Sequence, residues 1–339
     1  MVLTNHLIYR NWINCKFRNG VIISLVTLLF FCMNEMNGQS YFQGSLQSQN
    51  GYIDNVAFAG IFQQDIINLS YRNQWTGLNR APSWVSANGS MPLYSGHGGV
   101  GFSVDQLSLG LEKNTSVQAS YNYIYALGEG VISAGFSIGI KQKQLDGDGI
   151  RTPNGEYKNQ VIDHQDAILP LDLRSSVRPM MGGGVYYVGP WGVMGLAYKS
   201  QLLQGYQFVE GRQVSEGGVM IASYKQKLNY LGMEWIPEWR LKTDFIQMQM
   251  EGGVMMSWGN NIYLGTALRG YSKLSLDALI LKGGVLVNYY LSFYYAYDYS
   301  LSGLSPYSGF VHELLMTVRI NHPNKAVFKH RRIYNSRML

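Results

Sequence analysis

Residues 131–141 read VISAGFSIGIK, and every second residue in this stretch is apolar. The two alternating sets are Ile132, Ala134, Phe136, Ile138 and Ile140, and Ser133, Gly135, Ser137 and Gly139. Successive side chains of a β-strand point to opposite faces, so this pattern predicts a strand with one apolar face and one small, polar face. The same alternation occurs in residues 289–299 and 312–320.

The composition of the 339-residue chain favours many strands in one large domain. The chain has 39 Gly and 25 Tyr residues, and only 14% of its residues are charged, whereas about 25% is usual for soluble domains. Its mean hydropathy is −0.08, which argues against a helical membrane protein because the apolar residues are interleaved with polar ones. These properties are typical of strands and tight turns at a boundary between water and lipid.

Three features predict a membrane barrel rather than a soluble β-sandwich. The alternating segments have the length of a tilted membrane-spanning strand, their second face is small and polar, and Tyr and Trp lie near segment ends. A closed barrel also pairs every backbone group, as the hydrocarbon of a membrane requires. Fourteen strands are predicted, starting near residues 66, 83, 97, 115, 130, 178, 191, 219, 239, 247, 261, 277, 290 and 311.

The predicted fold class is therefore all-β: an antiparallel, transmembrane outer-membrane β-barrel with about fourteen strands. An even number of strands places both chain ends in the periplasm. Short links at 127–130, 189–190 and 258–261 are predicted to be periplasmic turns. Longer links are predicted to face the cell exterior, at 76–82, 105–114, 142–177, 201–217 and 300–310.

The first 38 residues have the order of a secretory signal peptide. Arg10, Lys16 and Arg18 precede an apolar run at 21–33, which is shorter than the ~20 residues that a membrane-spanning helix needs. Cleavage is expected after Gly38, before the chain enters the outer membrane. The predicted organisation is a signal peptide (1–38), an N-terminal periplasmic or lumenal segment (39–64), a barrel (65–320) and a basic tail (321–339). Both Cys residues lie in the presequence, so no disulfide or thiolate site is expected in the mature chain.

Two groups of residues carry a resemblance to a known family. The first comprises Asn55 to Gly60 (NVAFAG), Tyr71 to Gly77 (YRNQWTG) and Pro82, and the second comprises Tyr297 to Leu304 (YDYSLSGL) and the pair His312 and Glu313. In this order they resemble the PorP/SprF family of type IX secretion and gliding systems in Bacteroidota. Val56 stands where the family pattern has Pro. The family commonly ends a few residues after its last strand, whereas this chain adds residues 321–339.

The resemblance implies a non-enzymatic barrel that assists secretion or surface attachment of large proteins such as adhesins. The implied partners are outer-membrane lipids, the type IX translocon, periplasmic components and the C-terminal sorting domain of a secreted cargo protein. The candidate partner-contact residues are Asn55, Ala59, Gly60, Tyr71, Arg72, Gln74, Trp75, Pro82, Tyr297, Asp298, Ser300, Leu301, His312 and Glu313. A porin-like channel that passes solutes is the alternative function.

The barrel topology also predicts a contact between the two motif groups. The first and last strands of a closed barrel are neighbours, so residues 71–75 should meet residues 297–301. Residues 55–60 are expected at the periplasmic mouth or inside the lumen. Trp75 is expected to anchor the strand end at the interface, and Arg72 could stack on a nearby aromatic ring.

Possible chemical motifs are weak, and no cofactor, metal or catalytic residue is predicted. Residues 135–139 match the G-x-S-x-G pattern, but Ser137 lies within an alternating strand rather than at a strand-to-helix turn. Residues 146–149 (DGDG) suggest either a polar turn or a calcium site without the ligands of an EF-hand. His312 and Glu313 are adjacent and should point to opposite faces of a strand.

The net charge of +6 arises partly from the presequence and the basic tail. No recognition motif suggests nucleic-acid binding. The tail after residue 320 is expected either to be solvated in the periplasm or to dock on an acidic partner.

Overall fold

A computed structural model describes residues 44–93, 97–157, 162–166, 169–201, 206–209, 212–214, 218–230, 232–245, 247–259, 261–271, 275–301 and 309–321. The chain divides into two units, Met1–Gly38 and Gln39–Leu339, and all described residues belong to the second. The predicted signal peptide and residues 322–339 of the predicted tail lie outside the described residues. Within the described part, no helix is both long and apolar enough to cross a membrane.

Two short helical elements precede the strands, α1 (Gly51–Asp54) and a 3-10 turn, η1 (Val56–Phe58). The strands are β1 Gln64–Asn73, β2 Ser83–Leu93, β3 Gly98–Leu109, β4 Glu112–Leu127, β5 Gly130–Asp146, β6 Leu173–Gly189, β7 Gly192–Gln201, β8 Tyr206–Val209, β9 Arg212–Val214, β10 Val219–Lys225, β11 Leu228–Tyr230, β12 Met233–Thr243, β13 Met248–Trp258, β14 Ile262–Tyr271, β15 Ser275–Leu286, β16 Leu291–Ser300 and β17 Val311–Asn321.

The main sheet closes on itself. From β1 to β7 and from β12 to β17, each strand pairs antiparallel with the next one in the chain. In addition, β10 pairs with both β7 and β12, and β1 pairs with β17. The strands β8 and β9 form a separate hairpin, whereas β10 and β11 lie along β12 as one interrupted strand. The result is a closed antiparallel barrel of fourteen strands, which confirms the predicted fold class. Most strand starts agree with the prediction within three residues; β6 starts five residues and β12 six residues earlier.

The lengths of the links confirm the predicted asymmetry of the two ends, with one exception. The links after β1, β5, β7 and β16 are long and emerge at one end, whereas the opposite end has only links of a few residues. The predicted long link at 105–114 is wrong, because β3 extends to Leu109 and β4 begins at Glu112. Gly110 adopts a left-handed conformation (φ +63) and allows a tight turn there. The polar residue Asn114, expected in a loop, faces the lumen instead.

The two faces of the wall differ as the alternation predicts. In β5, Phe136 and Ile138 point outward and are 56% and 61% exposed, whereas Ser137 points inward and is 2% exposed. In β17, His312 and Leu314 lie on the outer face and Glu313 lies on the inner face. An outer face rich in aliphatic and aromatic residues is the surface that lipid requires. The inner face is polar but buried, because other parts of the chain fill the lumen.

Candidate functional site

The lumen segment, residues 44–62, occupies the interior of the barrel. Ser45, Tyr52, Ala57 and Ala59 are completely buried. Its side chains and backbone form hydrogen bonds with residues of β1, β4, β6, β7, β10, β12, β14, β16 and β17. A segment that contacts strands around the whole circumference can only lie inside the ring that they form.

The two motif groups of the sequence meet at Ser45. Arg72 of β1 forms ion pairs with Asp298 of β16 (2.7 Å) and Glu313 of β17 (2.8 Å). The Ser45 backbone N–H donates to Glu313 (2.7 Å), and the Ser45 hydroxyl donates to Asp298 (2.7 Å) and accepts from Arg72 (2.9 Å). The predicted contact between the two motif groups is therefore present, and it also fixes the start of the lumen segment.

Arg269 of β14 extends this cluster around the wall. It forms ion pairs with Glu251 and Asp298 (both 2.9 Å) and donates to the Ser45 hydroxyl (2.7 Å) and the Gly44 carbonyl oxygen (3.3 Å). Its guanidinium thus joins two carboxylates of the wall to the backbone of the lumen segment.

Arg240 and Lys282 complete what we call the charged network. Lys282 forms ion pairs with Glu238 (2.7 Å) and Glu251 (3.0 Å). Arg240 lies 3.5 Å from Asp54 of the lumen segment and donates to the Gly44 carbonyl oxygen (3.0 Å). The charged network consists of Asp54, Arg72, Glu238, Arg240, Glu251, Arg269, Lys282, Asp298 and Glu313. Its wall residues come from β12 to β17 and β1. Because a buried charge is costly unless it is paired, the network depends on every member.

On the other side of the lumen, uncharged groups hold residues 55–59. The Asn122 side-chain amide donates to the carbonyl oxygens of Ala57 (2.9 Å) and Ala59 (2.8 Å). The Asn55 amide donates to the carbonyl oxygens of Val185 (2.9 Å) and Leu196 (3.1 Å), in β6 and β7. Its oxygen accepts from the Ala57 N–H (3.0 Å) and so caps η1.

Small residues of the wall allow the lumen segment to approach closely. A Cβ at Gly99 would lie 2.3 Å from the Ala59 carbonyl oxygen, and a Cβ at Gly101 would lie 2.2 Å from the Tyr52 ring. A Cβ at Gly135 would lie 3.1 Å from the Ala57 Cα atom. Together with Ser120 and Asn122, these glycines form what we call the small-residue wall, on β3, β4 and β5.

Aromatic packing and one phenol hydrogen bond add to these contacts. The Phe58 ring lies 5.3 Å from Phe62 and 5.6 Å from Tyr186. The Tyr52 hydroxyl lies 2.8 Å from the Ser120 hydroxyl. Burial raises the pKa of Tyr52 to about 12, so its phenol is neutral near pH 7.

Several of the predicted partner-contact residues lie in the lumen. Asn55, Ala59 and Gly60 belong to the lumen segment, and Arg72, Asp298 and Glu313 belong to the charged network. Arg72 points inward and is bound by two carboxylates.

The other predicted residues lie on the outer face or at the end with the long links. Tyr71, Tyr297 and His312 point outward, and His312 Nδ1 lies 2.7 Å from the Tyr295 hydroxyl. The remaining predicted residues are Gln74, Trp75, Pro82, Ser300 and Leu301. The Gln74 N–H donates to the Pro82 carbonyl oxygen (2.8 Å), and Trp75 adopts a left-handed conformation (φ +59).

The first and last long links also meet at this end. The Thr76 N–H donates to the Phe310 carbonyl oxygen (3.1 Å), and Leu301 donates to the Asp277 carbonyl oxygen (2.8 Å). Ser300 pairs with Ala278 across β15 and β16. Strand pairing between β1 and β17 therefore continues into contact between their links.

Sequence reasoning missed Ser45, Asn122, Glu251, Arg269 and Lys282. A usable signal was present, because each charged residue of this set occupies the polar position of an alternating strand. Such charges in a lipid-embedded barrel must face inward, yet alternation alone does not identify their partners.

The weak chemical motifs have structural roles. Ser137 lies in the middle of β5 rather than at a nucleophile elbow. Residues 146–149 form a turn in which Ile150 donates to the Gly147 carbonyl oxygen (3.0 Å). Among the described residues, no three His, Cys, Asp or Glu side chains are grouped so that they could hold a metal ion.

Solved structures of several other proteins are similar to this chain. The toluene transporters TodX of Pseudomonas putida and TbuX of Ralstonia pickettii have TM-scores of 0.47 with this chain, at 9% and 11% identity. The alignments cover 83% and 80% of this chain and 94% and 93% of those chains. Omp33 of Acinetobacter baumannii has a TM-score of 0.42 at 6% identity. That alignment covers 77% of this chain and 99% of the Omp33 chain. None of the curated proteins that were compared matches the chain.

The sequence itself matches a family over most of its length. Residues 36–318 match the family described as type IX secretion system membrane protein PorP/SprF. The match includes the lumen segment, both motif groups and nearly all of the fourteen strands. The chain therefore belongs to the PorP/SprF family of type IX secretion system membrane proteins.

Proposed function

We propose that this protein is a non-conducting, non-enzymatic accessory barrel that assists secretion or surface attachment of specific large proteins, such as adhesins. It would reside in the outer membrane after cleavage of its signal peptide. Its partners would be the type IX translocon, periplasmic components and the C-terminal sorting domain of the cargo. Family membership supports the link to secretion.

The observation that carries the proposal is the filled lumen. A channel for solutes needs a continuous aqueous path, as in large porins. Here the lumen segment crosses the interior and is bound on opposite sides by the charged network and the small-residue wall. This arrangement favours a scaffold over the porin-like alternative.

A gene deletion tests the proposed role. Cells that lack the gene should retain one specific surface protein inside the envelope, while other exported proteins reach the surface normally. Expression of the wild-type chain should restore export. Normal surface levels of every type IX cargo in the deletion strain would contradict the proposal.

A membrane pull-down tests the proposed partners. The tagged wild-type barrel, solubilised in mild detergent, should retain translocon components and the cargo that the deletion strain fails to export. A tagged unrelated outer-membrane barrel from the same cells serves as the control. Equal recovery of these proteins with both baits would contradict specific association.

A further inference from the structure

The lumen segment begins close to the end of the barrel with the long links. The three wall residues that bind Ser45 lie one or two positions from the strand termini at this end, and they are Arg72, Asp298 and Glu313. At about 3.4 Å per residue, their backbone is within about 7 Å of the rim that these termini form. Ser45 is therefore held near the rim.

The residue before it is held at a similar level. The Gly44 carbonyl oxygen accepts from Arg240 (3.0 Å) and Arg269 (3.3 Å). These two arginines lie three and two positions from the ends of β12 and β14, both of which end at the same rim. The chain before Gly44 therefore starts from a point near the end with the long links.

From its start, the lumen segment runs toward the opposite end. Leu46 belongs to an apolar cluster with Met255 and Tyr294, which lie three positions from the strand termini at that opposite end. The Ala59 carbonyl oxygen lies against Gly99, one position from the start of β3 at the same end. The net direction of the segment is therefore from the end with the long links to the opposite end, where β1 begins.

The packing of the lumen segment disfavours a return path through the lumen. Leu46, Tyr52 and Val56 are no more than 2% exposed, because side chains of the wall and of the segment pack around them. A second passage of the chain beside them would have to displace these contacts, and close-packed interiors resist added volume.

The reach of the residues before Gly44 also decides between the two ends. Residues 39–43 separate Gly44 from the expected cleavage site after Gly38, and five residues span at most about 18 Å when fully extended. This is more than the distance of about 7 Å to the near rim. The opposite end is eight positions from Arg72 along β1, which is about 27 Å along the strand and roughly 20 Å along the barrel axis. Five residues therefore suffice for the near rim only.

We propose that the chain before Gly44 leaves the lumen at the end with the long links, so that the mature N-terminus is accessible from the cell surface. The exit is beside the first and last long links, which are joined by the hydrogen bond from Thr76 to Phe310. The terminal amine and residues 39–43 then add to the surface that a partner outside the cell contacts. This inference differs from the periplasmic N-terminus that the even number of strands predicts. It rests on the outer-membrane location and signal-peptide cleavage of the proposed function.

Thiol labelling of whole cells tests the proposal, because Cys15 and Cys32 both lie in the predicted signal peptide and the rest of the chain has no cysteine. Ser40→Cys introduces one thiol near the expected N-terminus. A membrane-impermeant maleimide should label this variant to the same extent in intact and in permeabilised cells. The wild-type chain should stay unlabelled in both; labelling of the wild type would show a retained presequence and would overturn the inference.

Two matched variants calibrate the two ends of the barrel. Asn79→Cys lies in the exposed link after β1 and should label fully in intact cells. Glu129→Cys lies in the exposed short link between β4 and β5 and should label only after permeabilisation. If Ser40→Cys behaves like Glu129→Cys, or reacts only after the barrel is denatured, the proposal is wrong.

The same variants separate this inference from the proposed function. If Ser40→Cys and Asn79→Cys label only after permeabilisation while Glu129→Cys labels in intact cells, the N-terminus shares the end with the long links and the proposed orientation in the outer membrane is wrong instead. If Ser40→Cys fails to reach the membrane, an epitope tag inserted between Gln39 and Ser40 decides in its place. An antibody should detect this tag on intact cells, and detection only after permeabilisation would overturn the proposal.

Discussion

The charged network and the small-residue wall hold the same lumen segment by different physical means. The network binds its first part with paired ions and charge-assisted hydrogen bonds from β12 to β17 and β1. The wall binds its second part with close backbone approach, one amide side chain and packing. The network is sensitive to loss of any single charge, whereas the wall is sensitive to added volume. Substitutions on the two sides should therefore fail for different reasons.

The largest expected effect is from Arg269→Ala in the charged network. This change leaves Glu251 and Asp298 buried without one of their cations, and we expect it to lower the free energy of unfolding by about 3–5 kcal/mol. Urea unfolding of the refolded barrel measures it. The matched control is Arg174→Ala, which removes an exposed ion pair with Asp172 (2.9 Å) and should cost less than about 1 kcal/mol. Equal losses of unfolding free energy in the two variants would show that Arg269 contributes no more to stability than the exposed ion pair does.

A smaller loss of stability is expected from Gly60→Ala. This change tests whether the close approach of the lumen segment to the small-residue wall contributes to stability. Gly60 has φ +69, and a Cβ there would lie 2.9 Å from the Cα atoms of Gly99 and Pro92. Gly110→Ala is the control, because Gly110 has φ +63 with nothing within 4 Å of the added atom. The control should cost about 1 kcal/mol from its backbone conformation alone. Gly60→Ala should cost clearly more; an equal loss would mean that close packing contributes little.

Asn122→Leu, also in the small-residue wall, should lower the free energy of unfolding by an intermediate to small amount. Leu has a similar size but leaves the carbonyl oxygens of Ala57 and Ala59 without their donor, at a cost of about 1–3 kcal/mol. Asn79→Leu in the exposed link after β1 serves as the control and should change stability by less than about 0.5 kcal/mol. Urea unfolding again compares them. A neutral Asn122→Leu would argue that packing alone positions residues 57–59.

The smallest expected effect is from Tyr52→Phe, which removes only the hydroxyl bonded to Ser120. We expect a loss of about 1 kcal/mol near pH 7. Because the pKa of Tyr52 is raised to about 12, its contribution to the stability of the barrel depends on pH. The unfolded chain ionises near pH 10 while the folded chain keeps its proton, so the stability linked to Tyr52 falls as the pH rises from 10 to 12. Unfolding curves of the variant should therefore decline less steeply in that range than those of the wild type.

Much of the fold could be predicted from sequence because lipid outside and polar groups inside impose strict alternation. The apolar ring of Phe136 is enough to assign it to the outer face, and the small polar side chain of Ser137 is enough to assign it to the inner face. The turn at Gly110 was missed because Asn114 is polar whether it lies in a loop or faces the lumen. Arg72, Asp298 and Glu313 were identified through a family resemblance, yet their joint contact with Ser45 depends on the barrel closing. Asn122 carries no sequence signal, because its role comes from the backbone of a distant segment.

A planar-bilayer recording of the purified barrel tests the central claim most directly, because the claim is that residues 44–62 close the lumen. The wild-type chain should show no steady conductance, and a chain lacking residues 44–62 should show stable open channels. A large, steady conductance of the wild-type barrel, equal to that of the shortened chain, would contradict the account.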